Sequence, residues 1–557
     1  MVLKLQEGHI VTNFFKILIA LPLLTAAVHA QTTPAQPAPP VTTLRSTTRL
    51  IQVNVIVHDK HGQPVRDLTR QNFTVLDNGK PQQVSIFSVD SNAVLPQSAK
   101  LAPNVFTNQL QQKSAVPSSV TVILIDELNT KIHDQVWAKQ QVIRYLKTIH
   151  PEDRVAIYAL GRGLRVLHDF TTDSSDLLRH LEKYNGAFLP ETTAAEGNSF
   201  SDDPGGAALD DFMRGAGSSK QEADFYMINR VEGTLHTLEF IANHLSSLPG
   251  RKNLIWVSGG FPLQIGFESI EAMRDPSRQQ RTFDPEMERA IRALNDGNVA
   301  IYPVDARGLV ADDRFSAANS KIDLAPKLSM GPIVEHQQTM SVLADRTGGR
   351  AYYNTNDLSS AIRNAVDDSA LTYTLGFYPA GDVNDGKFHK LHVKIAGRDG
   401  LNLRYRKGYF DIDEKPLDVK ARRIELRDAV WSPMDASSLG LLVQIAPPDP
   451  AHPTDLNVYL KIDPKGIGLA LNGDHHDGIL DILFVQKNEQ GKQFNGEDDT
   501  LTLALQDASF RKVTNEGIIY RKLVPRVAQA TQLRVVVRDA ASGTIGSVTV
   551  PFSQLKL

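Results

Sequence analysis

Two patterns of apolar and polar positions divide the chain. From Leu50 they alternate: Ile51, Val53, Val55 and Val57 share one face, and Asp59-Lys60-His61-Gly62 follows. That is the period of a strand with one buried face, ending in a turn. Residues 73–76, the dipeptide Asn78-Gly79 and residues 84–87 predict a hairpin, because Asn-Gly accepts the positive φ values of a tight primed turn. Residues 46–95 therefore predict a small β unit. Across 118–370 the grammar changes. Short continuous apolar runs at 120–125, 154–160, 164–168, 253–258, 299–304 and 350–353 alternate with helical patterns near 135–149, 174–184, 223–248, 285–295, 335–347 and 358–369. Unbroken apolar runs between helices predict parallel strands covered on both faces. The expected fold is α/β, a doubly wound, mostly parallel, Rossmann-like sheet. Asp284 is the expected N-cap of one helix, with Pro285 at its first position.

Strand patterns return at 371–378, 387–395 and 401–410. Because they follow the α/β unit directly, strands 371–411 are expected to complete one sandwich with 46–95, leaving 118–370 inserted in it. Beyond Lys415-Pro416, strand patterns near 441–445, 457–462, 478–486, 500–505, 532–539 and 547–552 predict a separate C-terminal β-sandwich over 417–557. Residues 186–219 and 306–331 lack a period and read as long loops.

Length agrees with several cores, since single cores stop growing at roughly 250–300 residues, and this chain has 557. Its 41% hydrophobic and 22% charged content suits folded domains. A net charge of −3 provides no basic field for phosphates, so nucleic acid is excluded as a partner. Lys4 and Lys16, the apolar run 17–28 and Val28-His29-Ala30 resemble an export signal over 1–30, with the mature chain starting near Gln31 and a Pro/Thr-rich linker over 31–45. The expected location is the periplasm, the cell envelope or the exterior. No membrane span is expected after cleavage. Cysteine is absent, which removes disulfides, thiolate metal sites and cysteine nucleophiles.

In an open parallel sheet, ligands bind beyond the carboxyl ends of strands near a switch in strand order. After the run 120–125 that place holds Asp126-Glu127-Leu128-Asn129-Thr130. The string resembles in part the metal-ion-dependent adhesion site of von Willebrand factor type A domains. Four further segments, Arg251-Lys252-Asn253-Leu254-Ile255-Trp256-Val257-Ser258-Gly259-Gly260-Phe261, Ala300-Ile301-Tyr302-Pro303-Val304-Asp305-Ala306-Arg307-Gly308-Leu309, Thr347-Gly348-Gly349-Arg350-Ala351 and Arg404-Tyr405-Arg406-Lys407-Gly408-Tyr409-Phe410, are similar in order to an acidobacterial subgroup of that family. The resemblance covers roughly residues 50–411. It implies Asp126, Thr130 and Thr234 as ligands of Mg²⁺, or of Mn²⁺ or Ca²⁺, with Asn129, Ser258 and Asp305 as further candidates. It also implies a protein partner that completes the ion's shell with an acidic residue, met by Asp126, Glu127, Asn129 and Thr130.

Two positions depart from the family pattern. Leu128 offers no oxygen where a serine is expected, and Ser258 stands in place of an aspartate. Fewer anionic oxygens lower divalent affinity. The alternative is that Asp126 and Thr130 satisfy backbone donors at the start of the following helix. Elsewhere, Ser258-Gly259-Gly260 lacks the glycine two residues before the serine that a nucleophile elbow needs, so a hydrolase is the weakest class. Gly161-Arg162-Gly163, Gly397-Arg398-Asp399-Gly400 and His475-His476-Asp477 read as turns, the second as a hairpin, and Asp202-Asp203 with Asp210-Asp211 as a solubilising loop. The expected function is a non-enzymatic binding or adhesion protein. The alternative is a structural or assembly module of the cell envelope with an inert metal site.

Overall fold

The computed structural model describes residues 50–91, 101–109, 120–151, 153–187, 189, 220–248, 250–265, 273–274, 279–309, 332–368, 370–379, 386–411 and 417–556. The expected signal, the linker and the acidic cluster at 202–211 lie outside them.

In chain order, β1 (Ile51–His58), β2 (Phe73–Asp77), β3 (Lys80–Gln82) and β4 (Val84–Ser91) come first, then β5 (Val105–Thr107). Asn78 and Gly79 take φ values of 47° and 82°, and this turn joins β2 to β3. The expected hairpin partner 84–87 is thereby corrected. β4 crosses to a second sheet and pairs with β13 (Leu371–Phe377), because Pro81 and Gln83 interrupt the alternation and Val84 re-enters the core.

The α/β unit runs β6 (Val120–Asp126), α1 (Ile132–Leu146), β7 (Val155–Leu160), β8 (Leu164–Thr171), α2 (Ser174–Lys183), α3 (Lys220–Leu245) and β9 (Lys252–Ser258). It continues through the short pair β10 (Gln264–Ile265) and β11 (Arg281–Thr282), then α4 (Asp284–Asp296), β12 (Val299–Asp305), α5 (Pro332–Thr347) and α6 (Leu358–Asp367). Its sheet order is β12-β9-β6-β7-β8. The first four of these strands are parallel, and β8 runs antiparallel at the edge, which corrects its reading as a parallel strand. The turn Gly161-Arg162-Gly163 is too short for a crossover, so β8 folds straight back on β7. Run 350–353 contributes only a bridge, Val304 to Tyr352. Both faces are covered: α1, α2 and α6 pack on Ile123, Ile125, Ile157 and Ile255, while α3, α4 and α5 pack on Val122, Leu124, Leu254 and Trp256. Phe283, not Asp284, caps α4, leaving Asp284 inside its first turn, where a carboxylate suits the positive end of the helix dipole.

β1 pairs with β13, register Ile51 to Phe377, and with β15 (Asn402–Arg404). β14 (Phe388–Ile395) pairs with β2 and with β16 (Gly408–Phe410). Strands from before and after the α/β unit share one core, in which Val53, Val55 and Val75 meet Tyr373, Leu375 and Val393. The segment Gly397 to Gly400 links β14 to β15, which lie in different sheets, so it is a crossover and not a hairpin turn.

The C-terminal region opens with α7 (Val419–Trp431) and continues β17 (Leu441–Ala446), β18 (Asp455–Ile462), β19 (Ala470–Asn472), β20 (His475–Lys487), β21 (Gln493–Gln506), α8 (Asp507–Glu516), β22 (Ile518–Pro525), β23 (Gln532–Asp539) and β24 (Ile545–Pro551). Its two sheets enclose a core around Val443, Leu460, Phe484 and Val535. β5, far upstream, adds to it by pairing with β17. The two helices and β22 escaped the strand pattern. His475-His476-Asp477 begins β20, with the turn falling one step earlier at Gly473. Among the described residues no helix is long and apolar enough to cross a membrane.

Candidate functional site

β6 lies mid-sheet, with β7 on one side and β9 on the other. The connection from β6 leads to one flank and the chain later returns on the opposite flank, so residues 126–130 sit at the switch in strand order. Asp126, Glu127, Asn129, Thr130, Thr234, Ser258 and Asp305 are all buried.

Asp126 ends β6 and is the hub. Its Oδ1 accepts from the Asn129 backbone N at 3.0 Å. Its Oδ2 accepts from Asn129 Nδ2 at 2.8 Å, Trp256 Nε1 at 2.9 Å and Ser258 Oγ at 2.8 Å. Burial pushes the Asp126 carboxyl above its ordinary range, opposed by the donors on Asn129, Ser258 and Trp256. The Asn129 carboxamide also donates to Thr234 Oγ1 at 2.6 Å, and its Oδ1 accepts from Arg230 Nε at 3.3 Å. The reversed amide would set its oxygen against a carboxylate and its NH₂ against a guanidinium, so the network fixes the orientation. Thr234 donates onward to the Arg230 carbonyl at 2.8 Å.

Thr130 Oγ1 accepts from the Gly259 backbone N at 3.0 Å, and Ser258 Oγ accepts from Gly260 N at 2.9 Å. Gly259 lets the end of β9 approach the loop, since a Cβ there would collide with the Asn129 carbonyl oxygen. Gly260 takes φ +78°, and a Cβ would lie 2.9 Å from His336 Cβ. His336 Nδ1 meets the Gly259 carbonyl at 3.1 Å. Burial, with Arg307 and Arg230 nearby, lowers its pKa to about 3, so the ring is neutral and Nδ1 carries the proton.

Glu127 points away from this cluster. Arg165 Nη2 donates to both its oxygens at 2.8 and 2.9 Å, and the Tyr184 hydroxyl donates to Oε1. Its role as a partner-facing residue is corrected: the side chain is closed into the β7–β8 side of the domain. Asp305 is held by Arg307 through Nε and Nη2, each at 2.9 Å. Leu128 packs in the core with Leu235, and its Cδ2 lies 3.6 Å from where a Cβ on Gly233 would be.

The resemblance implies a divalent cation here, and the donor set does not fit one. A hard dication needs several anionic or neutral oxygens with lone pairs free. Here the Asn129 NH₂ stands between Asp126 Oδ2 and Thr234 Oγ1, the two oxygens that would have to converge on the ion. Thr130 and Ser258 are engaged by the backbone of Gly259 and Gly260. Of the residues that the motif singled out, Asp126, Asn129, Thr130, Thr234 and Ser258 lie in one hydrogen-bonded cluster. Trp256, Arg230, His336, Arg165 and Tyr184 went unnoticed; only Arg230, one helical turn before Thr234, had a positional signal.

No protein-family model matches the chain, and no curated protein matches it. Solved structures that are similar include the von Willebrand factor domain of the type V pili tip protein Mfa5 from Porphyromonas gingivalis, at 13% identity over 48% of this chain and 98% of that one, TM-score 0.26. BatB from Bacteroides thetaiotaomicron is 13% identical over 45% of this chain and 98% of its own, TM-score 0.23. A von Willebrand factor type A protein from Catenulispora acidiphila is 10% identical over 63% and 80% respectively, TM-score 0.23. Scores this low leave the fold to the strand order and packing described above.

Proposed function

We propose that this chain is an exported, non-enzymatic binding or assembly protein with an α/β domain of the von Willebrand factor A kind. In this reading the carboxyl edge of the sheet meets another protein without a divalent cation. One observation carries it: the polar side chains of the loop are closed on each other, while apolar side chains stand exposed beside them among the exposed Lys131 and His133. Ile132 and Val136 on α1 and Leu309 after β12 are exposed. A Cβ at Gly308 would lie 3.0 Å from Trp137 Cη2, so the start of α1 and the loop after β12 adjoin. Clustered exposed apolar residues with a polar rim suit a protein interface. Catalysis finds no support, because Ser258 Oγ is committed to Asp126 and Gly260.

The second reading, an assembly module working through its C-terminal region, is favoured by α7, which leaves Val419, Ile424 and Trp431 exposed. The test compares capture of cell-envelope proteins by the full mature chain, with and without EDTA, for wild type, Val136→Asp and Trp431→Asp. Loss in Val136→Asp alone, with no effect of EDTA, is the expected result. Loss in Trp431→Asp alone moves the interface to α7, and capture abolished by EDTA sinks cation independence.

A further inference from the structure

On the far edge of the α/β sheet, β8 and α2 bring together His168, Asp176 and His180. His168 lies on the antiparallel edge strand, and Asp176 and His180 are one helical turn apart on α2, so their side chains share a helix face. His168 Nε2 is 2.7 Å from Asp176 Oδ2, His180 Nδ1 is 3.4 Å from Asp176 Oδ1, and the two rings meet edge to face at 4.8 Å. One candidate ligand atom from each of the three lies within 4.8 Å of the others.

We infer that His168, Asp176 and His180 form a site for a borderline transition-metal dication, Zn²⁺ being the natural occupant. Metal–N and metal–O bonds of about 2.0–2.1 Å place neighbouring ligand atoms about 2.9–3.4 Å apart, so small side-chain shifts bring this set onto one ion. Two imidazoles and one carboxylate suit Zn²⁺, Cu²⁺ or Ni²⁺ and do not suit Mg²⁺ or Ca²⁺, which prefer oxygen alone.

Both rings carry the outer hydrogen bond that orients a ligating histidine. His168 Nδ1 meets the Asp169 carbonyl at 2.5 Å, and His180 Nδ1 meets the Asp176 carbonyl at 2.9 Å. A carbonyl accepts only, so each Nδ1 holds the proton and each Nε2 of a neutral ring is a lone pair. The His168 lone pair then faces a carboxylate oxygen at 2.7 Å, a contact that needs positive charge. A metal ion supplies it, bound by the nitrogen and the carboxylate oxygen together. Arg179 also pairs with Asp176, but its side chain is 61% exposed and an exposed ion pair is easily given up. A bound metal would pin α2 across β8, which has no second strand partner among the described residues, in a chain that has no cysteine to do so.

The experiment is calorimetric titration of the full mature chain with ZnCl₂ in the presence of excess Mg²⁺. The expected result is one-to-one binding that Mg²⁺ leaves unchanged and that weakens at least about tenfold in His168→Ala and in His180→Ala, but not in His133→Ala, which alters an exposed histidine elsewhere in the domain. Co²⁺ absorption in the tetrahedral range, lost in the same two variants, is the second readout; His180 is 43% exposed, so its replacement leaves folding intact. No Zn²⁺ binding, or binding that survives both replacements, overturns the proposal.

Discussion

Two clusters of side chains with metal-ligand chemistry lie on one sheet, one at the end of its middle strand and one at its β8 edge, and they differ in what their donors already hold. Around Asp126, every oxygen that could face an ion is paired with a protein donor, and the Asn129 NH₂ fills the gap between carboxylate and hydroxyl. Around Asp176, the His168 Nε2 faces a carboxylate oxygen at 2.7 Å with no hydrogen-bond donor set between them, and an exposed arginine is the only local competitor among the described contacts. Residue type is thus a poor guide to metal binding. What decides is whether the donors are satisfied by one another, because a buried polar group already hydrogen-bonded gains little from an ion and loses its partner to acquire one.

Replacing Asp126 breaks the first cluster most severely. Asp126→Leu leaves the Trp256 N–H, the Ser258 hydroxyl and two donors of Asn129 buried without an acceptor. Each such orphan costs roughly 1–3 kcal/mol, so a loss of about 4 kcal/mol is expected in urea unfolding followed by Trp fluorescence. A loss under about 1 kcal/mol would mean the network is not what holds the loop.

Leu128→Ser restores the missing oxygen and separates the two explanations for a lost cation site. It removes a side chain from the core, at a cost of about 2–3 kcal/mol. Because Asn129 still fills the gap, Mg²⁺ titration of this variant is expected to give no binding heat. Heat appearing there would show that Leu128 alone had closed the site.

The third test uses acid. Unfolded His336 takes up a proton below about 6.5, its model-peptide value, whereas the folded ring resists protonation down to about 3. Stability from this residue is complete above the unfolded value and falls as the pH drops from there towards 3. At 1.36 kcal/mol per pH unit, about 2 kcal/mol is lost between pH 7.5 and 5. His336→Asn, which keeps a donor for the Gly259 carbonyl, should lose about 2 kcal/mol less over that interval. An identical pH dependence in both proteins would remove His336 from the closed cluster's defences.

Much of this contrast was readable in advance, and the unread part has physical causes. Continuous apolar runs identified β6, β9 and β12 because buried parallel strands need both faces apolar. The same alternation suits any antiparallel partner, which is why β4 looked like the mate of β2 when it pairs with β13. β5 is three residues long, too short for a period to show. The motif located Asp126, Thr130 and Thr234, but the turning of a carboxamide or a glutamate is set by tertiary neighbours: Arg230 and Thr234 orient Asn129, and Arg165 and Tyr184 draw Glu127 inward. His168 and His180 carried no signal, since a strand and a helix that meet only after folding hold the two rings.

The pairing of β1 with β13, and of β5 with β17, also imposes a timetable. Ile51 finds its place only once Phe377 is available, and Phe106 only once Val443 is. During synthesis the α/β unit can close on itself first, while the strands ahead of it wait with apolar faces uncovered. Such long-range closure is slow and prone to aggregation, so the strands ahead of the α/β unit are where this chain would depend most on a chaperone.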